Sequence, residues 1–189
     1  MSFARGMTTL ELRGPFGRRV VGVAGGRGMV TSTDEFLRRL VAVDQAMGTT
    51  SQVFDALQTA GVEHLVHAAR SALIAHATNN NFASSLGIEL MCWTAAERQI
   101  GRAFEKVGVR QGARELAFLV IGTSRVRVKA AMAKIFHEFA VERDDKVLEL
   151  RRDKLSIMRR TFSISPEELK VAPFEKLILE RIALLALAK

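Results

Sequence analysis

Residues 115–122 read Glu-Leu-Ala-Phe-Leu-Val-Ile-Gly, an apolar run charged only at its first position. A strand with water on one side alternates polar and apolar residues, whereas a strand without alternation must be covered on both faces. This segment therefore predicts a central strand buried on both sides. Ahead of it, residues 7–24 alternate loosely around Gly14-Pro15 and predict a strand, a turn and a second strand. The glycines at 25, 26 and 28 around Arg27 predict a mobile loop. Ser32-Thr33-Asp34-Glu35 predicts a helix start, and Gly48 its end. Short strands are expected at 52–56 and 147–150, and helices at 61–77, 83–93, 95–107, 124–140, 152–161, from Pro166, and at 173–187. Strands and helices without regular alternation indicate an α+β fold, a small mostly antiparallel sheet packed against a layer of helices. At 189 residues the whole chain, 1–189, is expected to form one domain.

The charge is unevenly placed. The chain carries 28 Lys and Arg against 20 Asp and Glu, a net of +8. Residues 94–134 hold nine basic and three acidic residues, so +6 of that +8 lies in one segment. Within it Arg98, Arg102, Lys106 and Arg110 recur every four residues. Ile100, Ala103, Phe104 and Val107 recur at helical spacing on the other side. Such a helix would bury its apolar stripe and present a basic line, with Gly108 as its C-cap. A localised basic excess is an address for a polyanion. Glu97, Glu105 and Glu115 could also pair with it as an ordinary solvated face.

Little else carries chemistry. His64 and His67, three apart on one helix, could offer two metal ligands, but no cluster of cysteines or carboxylates completes a site. No metal and no cofactor is expected. Cys92 sits between Met91 and Trp93 in an apolar run and reads as core. A single cysteine suits a reducing, cytoplasmic setting. The glycines at 25–28 lack the Gly-Lys-Ser/Thr of a phosphate loop. The N-terminal residues lack the apolar segment of a secretory signal, and no run is apolar enough for a membrane span. A small-molecule enzyme using His64 or Cys92, and a plain interaction subunit without RNA binding, stay open beside polyanion binding. The C-terminal stretch 173–187 is apolar around most of its circumference. That predicts burial on more than one side, with Ile178, Arg181, Ile182 and Leu185 as candidate partner contacts.

Three separated blocks resemble one known family. Glu63-His64-Leu65 opens one helix, and Glu89-Leu90-Met91 lies in the next. Arg98-Gln99-Ile100 follows a short turn, and Leu177, Glu180-Arg181 and Ala183-Leu184-Leu185 close the chain. This order and spacing resemble the small non-catalytic subunit of the KEOPS complex, the p53-related protein kinase-binding protein family. The resemblance covers about residues 53–189, and the first 50 residues match loosely. It implies a non-enzymatic subunit of a complex, found in archaea and eukaryotes, that makes threonylcarbamoyladenosine in tRNA. It also implies two partners, the kinase-like ATPase subunit and the single-stranded CCA end of tRNA, and neither DNA nor a membrane. Carried onto this sequence, the RNA-binding residues would be Trp93, Arg98, Gln99, Arg102, Lys106 and Arg110, with phosphates on the cations and bases stacked on Trp93 or on guanidinium planes. One departure stands out: where the family has a small-Ser-Gly turn, this chain has Thr94-Ala95-Ala96-Glu97.

Overall fold

The structure is a computed structural model that describes residues 7–187. Its sheet holds β1 (Thr8–Gly14), β2 (Gly17–Arg27), β3 (Thr50–Asp55) and β4 (Glu115–Gly122) in the order β1-β2-β4-β3, with the two-residue β5 (Glu142–Arg143) beside the end of β2. Every pairing is antiparallel. β4 is central, as its unbroken apolar run requires. Ala117, Leu119 and Ile121 enter one core, and Leu116, Phe118 and Val120 enter the other. The α+β reading holds, with one refinement: helices cover both faces, not one. On the first face lie α2 (Gly61–Ala77), α3 (Leu86–Ala95), α4 (Ile100–Val107), α6 (Arg152–Thr161) and α8 (Phe174–Leu187). On the second lie α1 (Thr33–Met47) and α5 (Arg125–Glu138). The four-residue α7 (Glu168–Val171) precedes α8.

The local signals mostly worked. The Ser32 hydroxyl accepts the Glu35 N–H at 3.4 Å, and Gly48 ends α1 at φ +62°, where glycine has no side chain to clash. Two readings fail, and each failure has a physical cause. The glycines at 25 and 26 are not a mobile loop but the last turns of the pleat of β2. A Cβ on Gly25 would meet the Asp144 carbonyl and Val147 at 2.7 Å, and one on Gly26 would strike Val141. Residues 141–148 lie directly on this backbone, so glycine here serves close approach and not freedom. The Gly25 N–H donates to the Asp145 carboxylate at 2.9 Å, and the Gly25 carbonyl accepts the Asp144 N–H at 3.1 Å.

Residues 147–150 are not a strand either. Asp145–Leu148 form a 3-10 turn whose Val147 and Leu148 carbonyls accept the ammonium of Lys154 at 3.0 and 3.4 Å. Lys154 is fully buried, and burial lowers its pKa to about 8. An inward lysine takes the carbonyls that a neighbouring strand would need.

Candidate nucleic-acid interface at the α3–α4 corner

The basic line exists, but only its middle is helical. α4 begins at Ile100, so Arg98 and Gln99 lie in the α3–α4 turn and Arg110 follows the helix. Ala103 and Val107 are buried, as the apolar stripe requires, and Phe104 is half-buried. Ile100, expected in the core, is 42% exposed because it sits at the first turn, beyond the edge of the cluster. Arg98, Gln99, Arg102 and Arg110 are exposed. Lys106 is half-buried and pairs with Glu97 at 3.5 Å. Partial burial opposes the charge of Glu97, yet the Gln99 N–H and the Lys106 ammonium together hold its carboxyl below the usual range. Arg110 donates to the Glu105 carbonyl at 2.6 Å. Among the described residues Arg102 makes no ion pair.

The turn itself is strained. α3 ends in a Schellman motif, with the Ala96 N–H on the Trp93 carbonyl at 3.1 Å and the Glu97 N–H on the Cys92 carbonyl at 3.0 Å. This places Ala96 at φ +49°, in the left-handed region that favours glycine. The departure from the family turn thus falls on a residue whose backbone asks for glycine. Ala96→Gly is expected to stabilise the protein by about 1 kcal/mol, raising Tm by roughly 2–4 °C in a chain of this size. A calorimetric scan that shows no rise would mean that the surrounding packing already relieves the strain.

Trp93 does not stand where a base could stack on it. It is 4% exposed, and its indole Nε1 donates to Glu89 Oε1 at 2.7 Å. The other oxygen of Glu89 accepts the Phe82 and Ala83 N–H groups, both at 2.8 Å. Glu89, fully buried, thereby straps the 81–83 loop to α3. The strap presents Phe82, tilted on Trp93 at 5.4 Å, with the Arg98 guanidinium 5.2 Å above its ring. Beside them opens a hollow of about 410 Å³ bordered by Ile74, Thr78, Asn80, Phe82, Trp93 and Arg98. Phe82 is the half-buried ring at the rim of this hollow, with Trp93 as its support and Arg98 over it. Phe82 carries no signal of its own in the sequence, and Glu89 stands out there only as the head of the Glu89-Leu90-Met91 block, not as a residue of the site. The signal available was a lone carboxylate inside the apolar run of α3.

The other singled-out residues are structural. His64 is 1% exposed; its Nδ1 accepts the Ala60 N–H at 3.0 Å, so Nε2 carries the hydrogen and donates to the Thr94 carbonyl at 2.9 Å. It caps α2, whose N-cap Ala60 offers no side chain, and ties that end to the last turn of α3. Both ring nitrogens are used, which leaves none for a metal or a reaction. Cys92 is buried, and burial, with Glu89 and Glu97 adding, pushes its thiol up to about 11, the opposite of a nucleophile. Burial lowers the pKa of His64 from 6.5 to about 4. Between those values the unfolded chain takes up a proton that the folded chain refuses, so stability falls as pH drops from 6.5 toward 4. The loss through His64 is about 3 kcal/mol at full extent. Urea midpoints of the protein and of a His64→Gln variant, compared across pH 7 to 4.5, should converge on acidification; parallel curves would show that His64 titrates normally.

The C-terminal helix corrects the partner residues. Ile178 and Ile182 are fully buried and Leu185 is 8% exposed, because these positions face α2 and α3. Arg181 is half-buried and pairs with Glu168 while donating to the Phe162 and Ser163 carbonyls. An outward contact falls to the opposite stripe, where Leu184 is 49% and Leu187 77% exposed. Among the described residues no helix is long and apolar enough to cross a membrane.

A family model described as kinase binding protein CGI-121 matches residues 29–186. The regulatory protein Cgi121 of Methanocaldococcus jannaschii is 28% identical over 143 residues, covering 76% of this chain and 88% of that protein. The β1–β2 hairpin lies ahead of the matched stretch. That stretch takes in both helical layers, the His64 clamp, the Glu89 strap and the whole basic line, and on this ground the chain belongs to the CGI-121 family of kinase-binding proteins.

Proposed function

We propose that this chain is the small non-catalytic subunit of a KEOPS complex, supporting threonylcarbamoyladenosine modification of tRNA by docking on a kinase-like ATPase and holding the single-stranded CCA end. The observation that carries the RNA half is the junction of cations with an aromatic platform: Arg98 over Phe82, Arg102 exposed along α4, and a hollow beside them. Unpaired bases need a face to stack on and a way to neutralise their phosphates, and Arg98 in the turn before α4 joins the two by lying over the Phe82 ring. The family description supports the kinase half. The outward stripe of α8 supplies the apolar contact, with Leu184 and Leu187 in place of the buried Ile178 and Ile182.

One experiment addresses both halves. A tRNA transcript with its CCA end trimmed should bind the protein at least tenfold more weakly than the intact transcript. The Leu184→Arg variant should lose co-elution with the kinase-like subunit while keeping its fold and its RNA binding. Equal binding of trimmed and intact tRNA would sink the CCA reading, and a Leu184→Arg variant that still co-elutes would move the docking face elsewhere.

A further inference from the structure

A second cationic surface lies far from α4. α4 packs on α3 and α3 on β3, one edge of the sheet, whereas the β1–β2 hairpin forms the other edge. The hairpin turn reads Arg13-Gly14-Pro15-Phe16-Gly17-Arg18-Arg19 and closes on Gly17 at φ +76°. In register, Arg13 stands directly opposite Arg18, and Glu11 opposite Val20. Alternation along the strands puts Glu11, Arg13 and Arg18 on the face of Val20, the face covered by α1 and α5. Like charges in a directly opposed pair repel. Both arginines share one carboxylate, Glu11, at 2.8 and 2.7 Å, which cannot neutralise the two.

The start of α5 adds to this excess. Val20 pairs with Gly122, and α5 begins three residues later. Its first turn holds Arg125 and Arg127 with no acid, and Lys129 follows. Arg127 has a fold role, donating to the Met47 carbonyl at the end of α1 at 3.3 Å. Arg125 and Lys129 are exposed and make no ion pair among the described residues. A cation at a helix N-terminus opposes the macrodipole, so Arg125 weakens the helix that it begins, an end held by the Ser124 hydroxyl on the Arg127 N–H and by no carboxylate in its first turn. Arg13, Arg18, Arg125 and Lys129 against Glu11 leave +3 at this corner.

We infer that the hairpin–α5 corner binds the phosphate backbone of duplex RNA, at a site separate from the α4 line. The choice of a polyribonucleotide rests on the RNA reading above; the choice of a duplex rests on the corner itself. Phe16, the aromatic of the turn, is half-buried and packed into the opposite core, so no ring is offered to an unstacked base. Cations without a stacking face read phosphate spacing and not base identity. Three of the four cations are arginines, whose planar fork matches phosphate oxygens. Among the described residues of the hairpin and the start of α5 the exposed large aliphatics are Val126 and, marginally, Leu10, too little to enter a lipid surface.

The test uses the full chain carrying Arg125→Glu and Lys129→Glu. An acid at the first turn of α5 favours the helix, so this variant should melt at or above the unaltered protein, which separates binding from stability. The probes are a blunt RNA duplex of about 20 base pairs, a single-stranded oligonucleotide ending in CCA, and phosphatidylserine vesicles. Duplex affinity should fall by about tenfold or more, with a shallower dependence on salt, while oligonucleotide affinity stays unchanged. Arg102→Glu should do the reverse. Duplex binding equal to that of the unaltered protein overturns the inference. A loss confined to the vesicles overturns it in favour of a lipid surface. If the duplex behaves as expected but the oligonucleotide never binds, the corner stands and the CCA reading of α4 falls.

Discussion

Changing Arg98 and Arg102 together to glutamate should weaken tRNA binding by two to three orders of magnitude. Each exposed charge near a phosphate is worth about 1 kcal/mol in a water-like dielectric. Two attractions lost and two repulsions gained come to roughly 3–4 kcal/mol, and each 1.4 kcal/mol is tenfold. Each phosphate neutralised on a single strand contributes about −0.7 to the slope of log affinity against log salt. Three or four contacts along Arg98, Arg102, Lys106 and Arg110 give a slope of about −2 to −3, and the double variant should flatten it. The two arginines are not equivalent probes. Arg102 is exposed, and its loss should move stability by only a few tenths of a kcal/mol. Arg98 lies over the Phe82 ring, so its loss should cost about 0.5–1 kcal/mol. A salt slope near zero for the unaltered protein, or full binding by the double variant, would reduce α4 to a solvated face.

The largest effect on stability is expected at Glu89. Its two oxygens take the indole N–H of Trp93 and the backbone N–H groups of Phe82 and Ala83, all in the core or at its margin. Glu89→Ala strands three donors, each worth about 1–3 kcal/mol when buried and unpaired. A loss of about 3–5 kcal/mol is the expected total, a large fraction of a normal domain's stability. Glu89→Gln should recover part of it, since one oxygen remains to accept. Urea unfolding measures this directly, and an alanine variant within 1 kcal/mol of the unaltered protein would mean that water replaces the carboxylate. The same variant should also lose affinity for the CCA-ending oligonucleotide at temperatures where it is still folded, because Phe82 depends on the strap.

What the sequence revealed and what it hid follow from the range of each interaction. α1, α2 and β4 were legible because their signals are local: a capping serine, an apolar period, an unbroken run. The 3-10 turn at Asp145–Leu148 was not, because Lys154, which satisfies its carbonyls, looks from spacing like any surface lysine. Gly25 and Gly26 misled in the same way, since the residues that crowd them are more than a hundred positions away. The basic line was legible as charge. The platform beside it was not, because Phe82 and Glu89 are joined by backbone N–H groups that have no sequence pattern. Trp93, Ile178 and Ile182 were singled out for their chemistry, and the core claimed them because large apolar groups are worth most out of water.

The strand order also governs how the chain reaches this state. β2 and β4 are neighbours at the centre of the sheet, yet their paired residues are separated by 88 positions at Arg27–Glu115 and by 102 at Val20–Gly122. Neither core can close until a loop of that length has been closed, so folding should be slow for the chain's size. Meanwhile Leu116–Ile121, which carries no charge, is without its partner strands. Glu115 before it and Arg125 after it are the nearest charges that could discourage it from pairing with a second chain. Recovery on refolding should therefore fall as protein concentration rises, since a first-order closure competes with a second-order encounter between unpaired β4 segments.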